Sequence, residues 1–220
     1  MAISFDSLKS IPYFTGLAEG ALAAVNSHVF EKKAVRNDIL VFEGEPVEAM
    51  FFVASGVVKV FKTSADGKEQ ILRIIRPGDT FNDVPVLGGV NLTSAAAMSP
   101  AVLYGMKKKD LESLSREYPQ IALNIIKVLS TRVQEMISLV EDLSFLHVNG
   151  RVAKILLEYA GNGEKPRLTQ QEMAAMIGTA REMVGRSFRN LESEGAIRVE
   201  RNHIIIADHA TLKRIAGVTE

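Results

Sequence analysis

There is no cysteine among the 220 residues. That absence excludes disulfides, thiolate metal sites, cysteine-ligated iron–sulfur clusters and cysteine nucleophiles together. An excess of charge is missing too: 26 Lys and Arg stand against 26 Asp and Glu, a formal net charge of zero. A uniformly basic nucleic-acid coat and an acidic disordered tail are both ruled out. No apolar run approaches the ~18 uninterrupted residues of a membrane span. The first ten residues lack a basic segment followed by an apolar one, so no signal peptide is read there. The expectation is a cytoplasmic protein with no membrane partner. What is present is ordinary for a globular chain, 47% hydrophobic and 24% charged residues, in a length that suits one large domain or two small ones.

Glycines punctuate the first half at near-regular intervals: Gly44, Gly56, Gly67, Gly78, Gly88-Gly89 and Gly105. Between them lie short β-rich runs, among them Phe51 to Val53, Val57 to Phe61 and Ile71 to Ile75. Turn residues sit at the joints, as in Asp66-Gly67 and Pro77-Gly78-Asp79. Strands at this spacing predict a β-sandwich, barrel or jelly roll. No residue pattern recurs beyond the glycines, so one β-roll is expected and not a solenoid.

After Tyr118-Pro119 the pattern changes. Ala122, Ile126, Leu129, Val133, Met136, Val140 and Leu143 are spaced 4, 3, 4, 3, 4, 3, an a/d seam without Gly or Pro. Such a helix either packs along its own β-domain or meets a copy of itself. The regularity of the seam favours a homodimer, with Ile121, Ile125, Val128 and Ile137 facing the β-roll from a second stripe.

The chain is helical again from Asn149-Gly150 to Tyr159 and breaks at Gly161-Asn162-Gly163. Two helix starts follow, Thr169 with Glu172 and Thr179 with Glu182, each spaced as a capping box. With Gly178 between them they form a predicted helix-turn-helix. Ile197 to Val199 and His203 to Ile206 read as a β-hairpin wing with Arg201-Asn202 at its turn. On the second helix Val184, Phe188 and Leu191 make a buried stripe, and Arg181, Gly185, Arg186 and Arg189 fall opposite. Gly185 costs such a helix about 1 kcal/mol relative to Ala. Close approach to a DNA backbone and close helix packing both explain a missing side chain there. Arginines at the start of such a helix can bind guanine bidentately, and Glu182 can accept from a cytosine amino group. Residues 148–220 carry 11 basic and 9 acidic side chains, so the cationic footprint is local.

The run Leu168-Thr-Gln-Gln-Glu-Met-Ala-Ala-Met-Ile-Gly-Thr-Ala-Arg-Glu-Met-Val-Gly-Arg186 closely resembles the winged helix-turn-helix of Crp/Fnr transcription regulators. The hinge passage from Asp142 to Arg151 resembles theirs as well, and the likeness extends from about Ile11 to Ile206. It implies an α+β fold: a cyclic-nucleotide-binding-type β-roll (jelly roll) over 1–118, a long dimerisation helix and hinge over 119–147, and a winged helix-turn-helix over 148–220. The motif Arg-Glu-x-Val-Gly-Arg matches the catabolite-activator branch, whose Arg, Glu and Arg read a TGTGA half-site. Those roles then belong to Arg181, Glu182 and Arg186. Thr169, Gln171, Thr179, Arg189, Lys165 and Arg201 are assigned to the DNA backbone. The implied partners are double-stranded DNA, a second copy of the chain, RNA polymerase and a small effector.

The effector loop departs from the cyclic-AMP pattern. Where cyclic-AMP receptors carry Gly-Glu-Leu and then Arg-Ser, this chain has Asn82-Asp83-Val84 and then Thr93-Ser94. No Lys or Arg occurs between Pro77 and Met106, so a buried cyclic phosphate is expected to meet Asp83 without a cation. The polar pair that meets the purine from the dimer helix is replaced by Met136 and Ile137. Cyclic AMP is therefore not the expected effector, and an apolar molecule, a small organic acid or haem remains. His28 is the only His of the β-roll region and the axial ligand if haem is bound; His147 sits at the hinge. An enzyme in a jelly roll needs a constellation of His, Cys or carboxylates at metal or acid–base spacing, and none is found. A β-roll adaptor without DNA binding predicts a degraded recognition helix, and this one is intact.

Overall fold

The computed structural model describes residues 3–83, 89–159, 168–200 and 203–218. They form two compact units, one of residues 1–62 with 72–134 and one of residues 63–71 with 135–220.

The first unit opens with α1 (Phe5–Lys9), a single 3-10 turn (Pro12–Phe14) and α2 (Glu19–Ser27). Eight strands follow: β1 (Val29–Ala34), β2 (Ile39–Val41), β3 (Ala49–Ser55), β4 (Val58–Thr63), β5 (Glu69–Ile75), β6 (Thr80–Phe81), β7 (Ser94–Ala97) and β8 (Ala101–Lys107). They pair as two four-stranded sheets, ordered β1-β8-β3-β6 and β2-β7-β4-β5, with antiparallel neighbours. Then come α3 (Lys108–Glu117) and the 27-residue α4 (Pro119–Phe145).

Strand β3 shows why this unit needs both a second sheet and a helical layer. Its run Ala49 to Val53 is buried throughout, so the usual alternation of apolar and polar residues is absent. Ala49, Phe51 and Val53 point into the core between the sheets, where Phe51 stacks on Phe81 with ring centroids 5.3 Å apart. Met50 and Phe52 point the other way, into a core built with Leu8, Phe14 and Leu22 of the N-terminal helices and Ile121 and Ile125 of α4. The N-terminal helices and α3 have no counterpart in the sequence reading.

The turn glycines behave as their spacing predicts at Gly67 and Gly78, which hold φ of 81° and 88°. Gly105 does not belong with them. It lies inside β8 in register with Phe30, and a Cβ there would fall 2.2 Å from the Phe30 ring. A glycine inside a strand here makes room for an aromatic ring from the neighbouring strand.

In the second unit, α5 (Val148–Tyr159), α6 (Gln170–Ile177) and α7 (Arg181–Ser193) pack around a common core. The hairpin β9 (Ile197–Glu200) and β10 (His203–Ile206) and a terminal α8 (His209–Ile215) complete it. Val152, Leu156, Ala174, Val184, Leu191, Ala196 and Leu212 are each no more than 2% exposed there. The turn between α4 and α5 is fastened by Arg151, which donates to the Leu146 carbonyl at 2.9 Å, and by an ion pair between Lys154 and Asp142 at 2.6 Å.

Candidate nucleic-acid interface and effector loop

Helix α6 begins with the capping box its sequence predicts. The Thr169 hydroxyl accepts from the Glu172 amide at 3.1 Å, and the Glu172 carboxylate accepts from the Thr169 amide at 2.7 Å. Two amides that a helix start leaves without partners are satisfied at once. Thr169→Ala is expected to cost about 1 kcal/mol, lowering the melting midpoint by about 2–4 °C in a thermal denaturation series.

Helix α6 ends at Gly178, held left-handed at φ 66°. A Cβ at Gly178 would also crowd the Gln70 side chain at 3.1 Å and Leu143 at 3.3 Å. Gln70 lies in the first residues of β5, which group with the second unit, and donates to the Met176 carbonyl at 3.0 Å. The sequence carries no local signal for that bond, because more than a hundred residues separate its partners.

The second capping box is not formed. The Thr179 amide closes the preceding turn on the Ala174 carbonyl at 3.0 Å, and α7 starts at Arg181 with Ala180 as its cap. The start moves one residue along, so Glu182 no longer stands three residues after the cap. No side chain caps α7.

Along α7 the two faces separate as expected. Val184, Phe188 and Leu191 are buried, joined by Ser187, while Arg181, Glu182, Arg186 and Arg189 are exposed on the opposite side. Thr169 and Gln171 are exposed at the start of α6, and Thr179 is half-buried in the turn. Lys165 and Arg201 lie outside the described residues. A cleft of about 580 Å³ opens between the start of α6, Arg181 and the wing residues Val199 and Ile204, with Phe188 in its lining. A helix whose outer face offers three guanidiniums and a carboxylate, beside a two-stranded wing, is the form in which a protein presents donors and acceptors to a DNA groove.

The comparisons agree with this geometry. Residues 31–118 match the cyclic nucleotide-binding domain family, and residues 150–215 match the Crp-like helix-turn-helix domain family. The chain belongs to the Crp/Fnr family of transcription regulators. It is 30% identical over 213 residues to the CRP-like cAMP-activated global transcriptional regulator of Mycobacterium tuberculosis, covering 92% of this chain and 95% of the relative. Against the Cyclic AMP receptor protein of Thermus thermophilus it is 30% identical over 212 residues, covering 95% and 98%. Among solved structures, the c-di-GMP responsive global regulator CLP of Xanthomonas campestris matches with a TM-score of 0.77 at 20% identity, covering 87% of this chain and all of that one. Crp-like regulators bind DNA, and this one carries their helix-turn-helix. Among the described residues no helix is long and apolar enough to cross a membrane.

In this Crp/Fnr regulator the candidate effector loop has cations that the sequence reading missed. Asp83 is 5% exposed. It accepts from the Tyr13 phenol at 2.9 Å and the Thr80 hydroxyl at 3.1 Å. Burial and the Asp83 carboxylate push the Tyr13 phenol far above its usual value, so it remains a neutral donor. The Arg132 guanidinium comes from α4 and lies 3.8 Å from Asp83 and 2.5 Å from Asp79. Arg73, from β5, pairs with the other oxygen of Asp79 at 2.8 Å. Both arginines lie outside the stretch from Pro77 to Met106, and the fold brings them in from β5 and α4. Two carboxylates and two guanidiniums balance, and each arginine already has an acidic partner.

The rest of the expected effector set is dispersed. Asn82 takes a left-handed φ of 59° and donates to the Ala49 carbonyl at 2.8 Å. Ser94 accepts from the Glu43 amide at 3.1 Å, and Thr93 is half-buried beside it. Val84 lies outside the described residues. Met136 and Ile137 are 59% and 54% exposed, so Ile137 is not on the stripe that faces the β-roll. His28 is an exposed residue at the end of α2, with its Nδ1 2.9 Å from the Ala24 carbonyl. It is a surface imidazole bound to its own helix, not a walled axial ligand.

Proposed function

We propose that the protein is a homodimeric, effector-responsive regulator that reads a TGTGA-type inverted repeat. The observation that carries this reading is the exposed set Arg181, Glu182 and Arg186 at the start of α7. Arg181 and Arg186 reach guanines and Glu182 a cytosine amino group, because the beginning of such a helix is the part that enters the major groove. Thr169, Gln171, Thr179 and Arg189, with Lys165 and Arg201, hold phosphates. The uncapped amides of α7 suit a phosphate oxygen as well, since a helix start is an electropositive donor cluster. Selection from random DNA tests the reading. An inverted repeat with half-sites about one helical turn apart is the expected result, and enrichment of no motif by a dimer that binds duplex DNA would sink it.

The dimer itself rests on α4. Ile126, Val133, Met136 and Val140 are between 56% and 62% exposed and Leu143 is 43% exposed, an apolar face left bare along one helix. Leu129, expected in the same seam, is half-buried against the core that contains Ile121 and Ile125. It belongs to the β-roll side, as Val128 does. RNA polymerase is the partner through which a regulator of this family acts.

The effector acts at the loop that contains Asn82 and Asp83 and reaches α4 through Arg132. Cyclic AMP is not that effector. Its phosphate would enter a site whose two guanidiniums are already neutralised, and a third anion there pays desolvation without a free partner. Calorimetric titration with cyclic AMP is expected to show no binding at micromolar concentration. Tight binding would mean that Asp79 yields Arg73 or Arg132 to the phosphate.

A further inference from the structure

The wing carries more apolar surface than its own unit covers. Val199 of β9 and Ile204 of β10 are direct cross-strand partners, as are Ile197 and Ile206, so all four side chains share one face of the hairpin. At the Ile197 end that face enters the common core, and Ile197 is 1% exposed. At the other end it outruns its cover, and Val199 is 42% exposed. The Val199 amide donates to the Glu192 carboxylate at 3.0 Å, which ties the strand to α7 and leaves the side chain in the lining of the cleft.

This overhang is one wall of the cleft of about 580 Å³. Met173 and Phe188, each 6% exposed, give the cleft a buried apolar floor. Arg181 is the only charged side chain in the lining, and its guanidinium makes no ion pair or hydrogen bond within the described residues. Thr169, Gln170 and Gln171 add neutral donors and acceptors. A cavity of this size, apolar over most of its lining and carrying a few polar groups, has the form of a small-molecule site. Its chemistry selects the ligand. The floor and the wing wall ask for an apolar body, and Arg181 asks for one negative charge. A cation would meet Arg181 as a like charge, and a second anionic group would enter the apolar part without a partner.

We infer that the cleft binds an amphipathic monoanion, an apolar chain or ring with a single carboxylate, and that this ligand excludes DNA. Thr169, Gln171 and Arg181 belong both to the lining and to the set assigned to the duplex, so ligand and DNA compete for the same side chains. The exclusion rests on the DNA-reading role proposed for α7, whereas the binding does not. Such control needs no signal from the β-roll, whose loop balances its own charges at Asp79 and Asp83.

Decanoate, a saturated chain ending in one carboxylate, is the probe. Calorimetric titration without DNA is expected to give one site per chain with a Kd on the order of 100 µM. Decanol, with the same chain and no charge, should bind about tenfold more weakly. Val199→Asp puts a carboxylate on the apolar wall and should weaken decanoate by about tenfold. Val199→Thr, nearly the same shape and suited to a strand, should weaken it about threefold and guards against a folding defect. With the wild type, added decanoate should raise the apparent Kd for the selected duplex, and duplex should weaken decanoate by the same factor. No binding heat at millimolar decanoate overturns the site. Binding that Val133→Glu abolishes and Val199→Asp does not would place decanoate on the bare face of α4 and overturn it as well. Duplex affinity unchanged by saturating decanoate overturns the competition. A protein that takes up decanoate in the cleft but binds no duplex keeps the site, while the base reading and the competition built on it fall together.

Discussion

Val133→Glu is expected to turn the protein into a monomer that remains folded and no longer holds its operator. Val133 is 56% exposed at the centre of the α4 seam, so a carboxylate costs the isolated chain little. In a dimer it would face its own copy across an apolar layer, two charges without a partner. Light scattering should report half the wild-type mass, with an unchanged melting curve for the β-roll. DNA affinity should fall by about 10²–10⁴-fold, because the second half-site no longer adds its binding within one complex. Val133→Leu keeps the seam apolar and should keep the dimer. A Val133→Glu protein that stays dimeric would place the association surface elsewhere.

Arg186→Ala has the second large effect. A bidentate arginine–guanine pair contributes ~1–3 kcal/mol of discrimination, and a symmetric dimer loses it twice. The expected loss is therefore about 2–6 kcal/mol per operator, with the preference relaxed at one position of each half-site. Arg189→Ala, at a residue assigned to phosphate, should instead weaken binding evenly across sequences and flatten its salt dependence. Selection from random DNA with both variants and the wild type distinguishes the two. An enriched motif unchanged by Arg186→Ala would remove that residue from base reading.

What could be read from the chain was what local physics decides. The capping box at Thr169, the left-handed Gly178 and the buried stripe Val184, Phe188 and Leu191 each involve residues within about two turns. Hairpin glycines such as Gly67 are equally local. The second capping box failed for a reason that is only slightly less local. Closing the turn after Gly178 used the Thr179 backbone and moved the helix start to Arg181. That displacement is one residue, yet it exchanges a side-chain cap for uncapped amides beside the charged face of α7.

The sequence by itself determined the order of the parts, the α+β class, the helix-turn-helix with its wing, and the exposed Arg181, Glu182, Arg186 and Arg189 of α7. Periodicity and turn chemistry are carried by neighbours in the chain, so one strand of text contains them. Tertiary structure decided the rest. Gly105 and Gly150 are glycines because Phe30 and Ile215 arrive from elsewhere, whereas Gly185 meets only a flexible side chain. Leu129 is half-buried because the rotation of α4 against the β-roll core, not the heptad count, sets how far each side is covered. The cations at Asp79 and Asp83 come from β5 and α4. A charge inventory taken along a loop misses such partners, because Coulomb interactions depend on distance in space and not on separation in sequence.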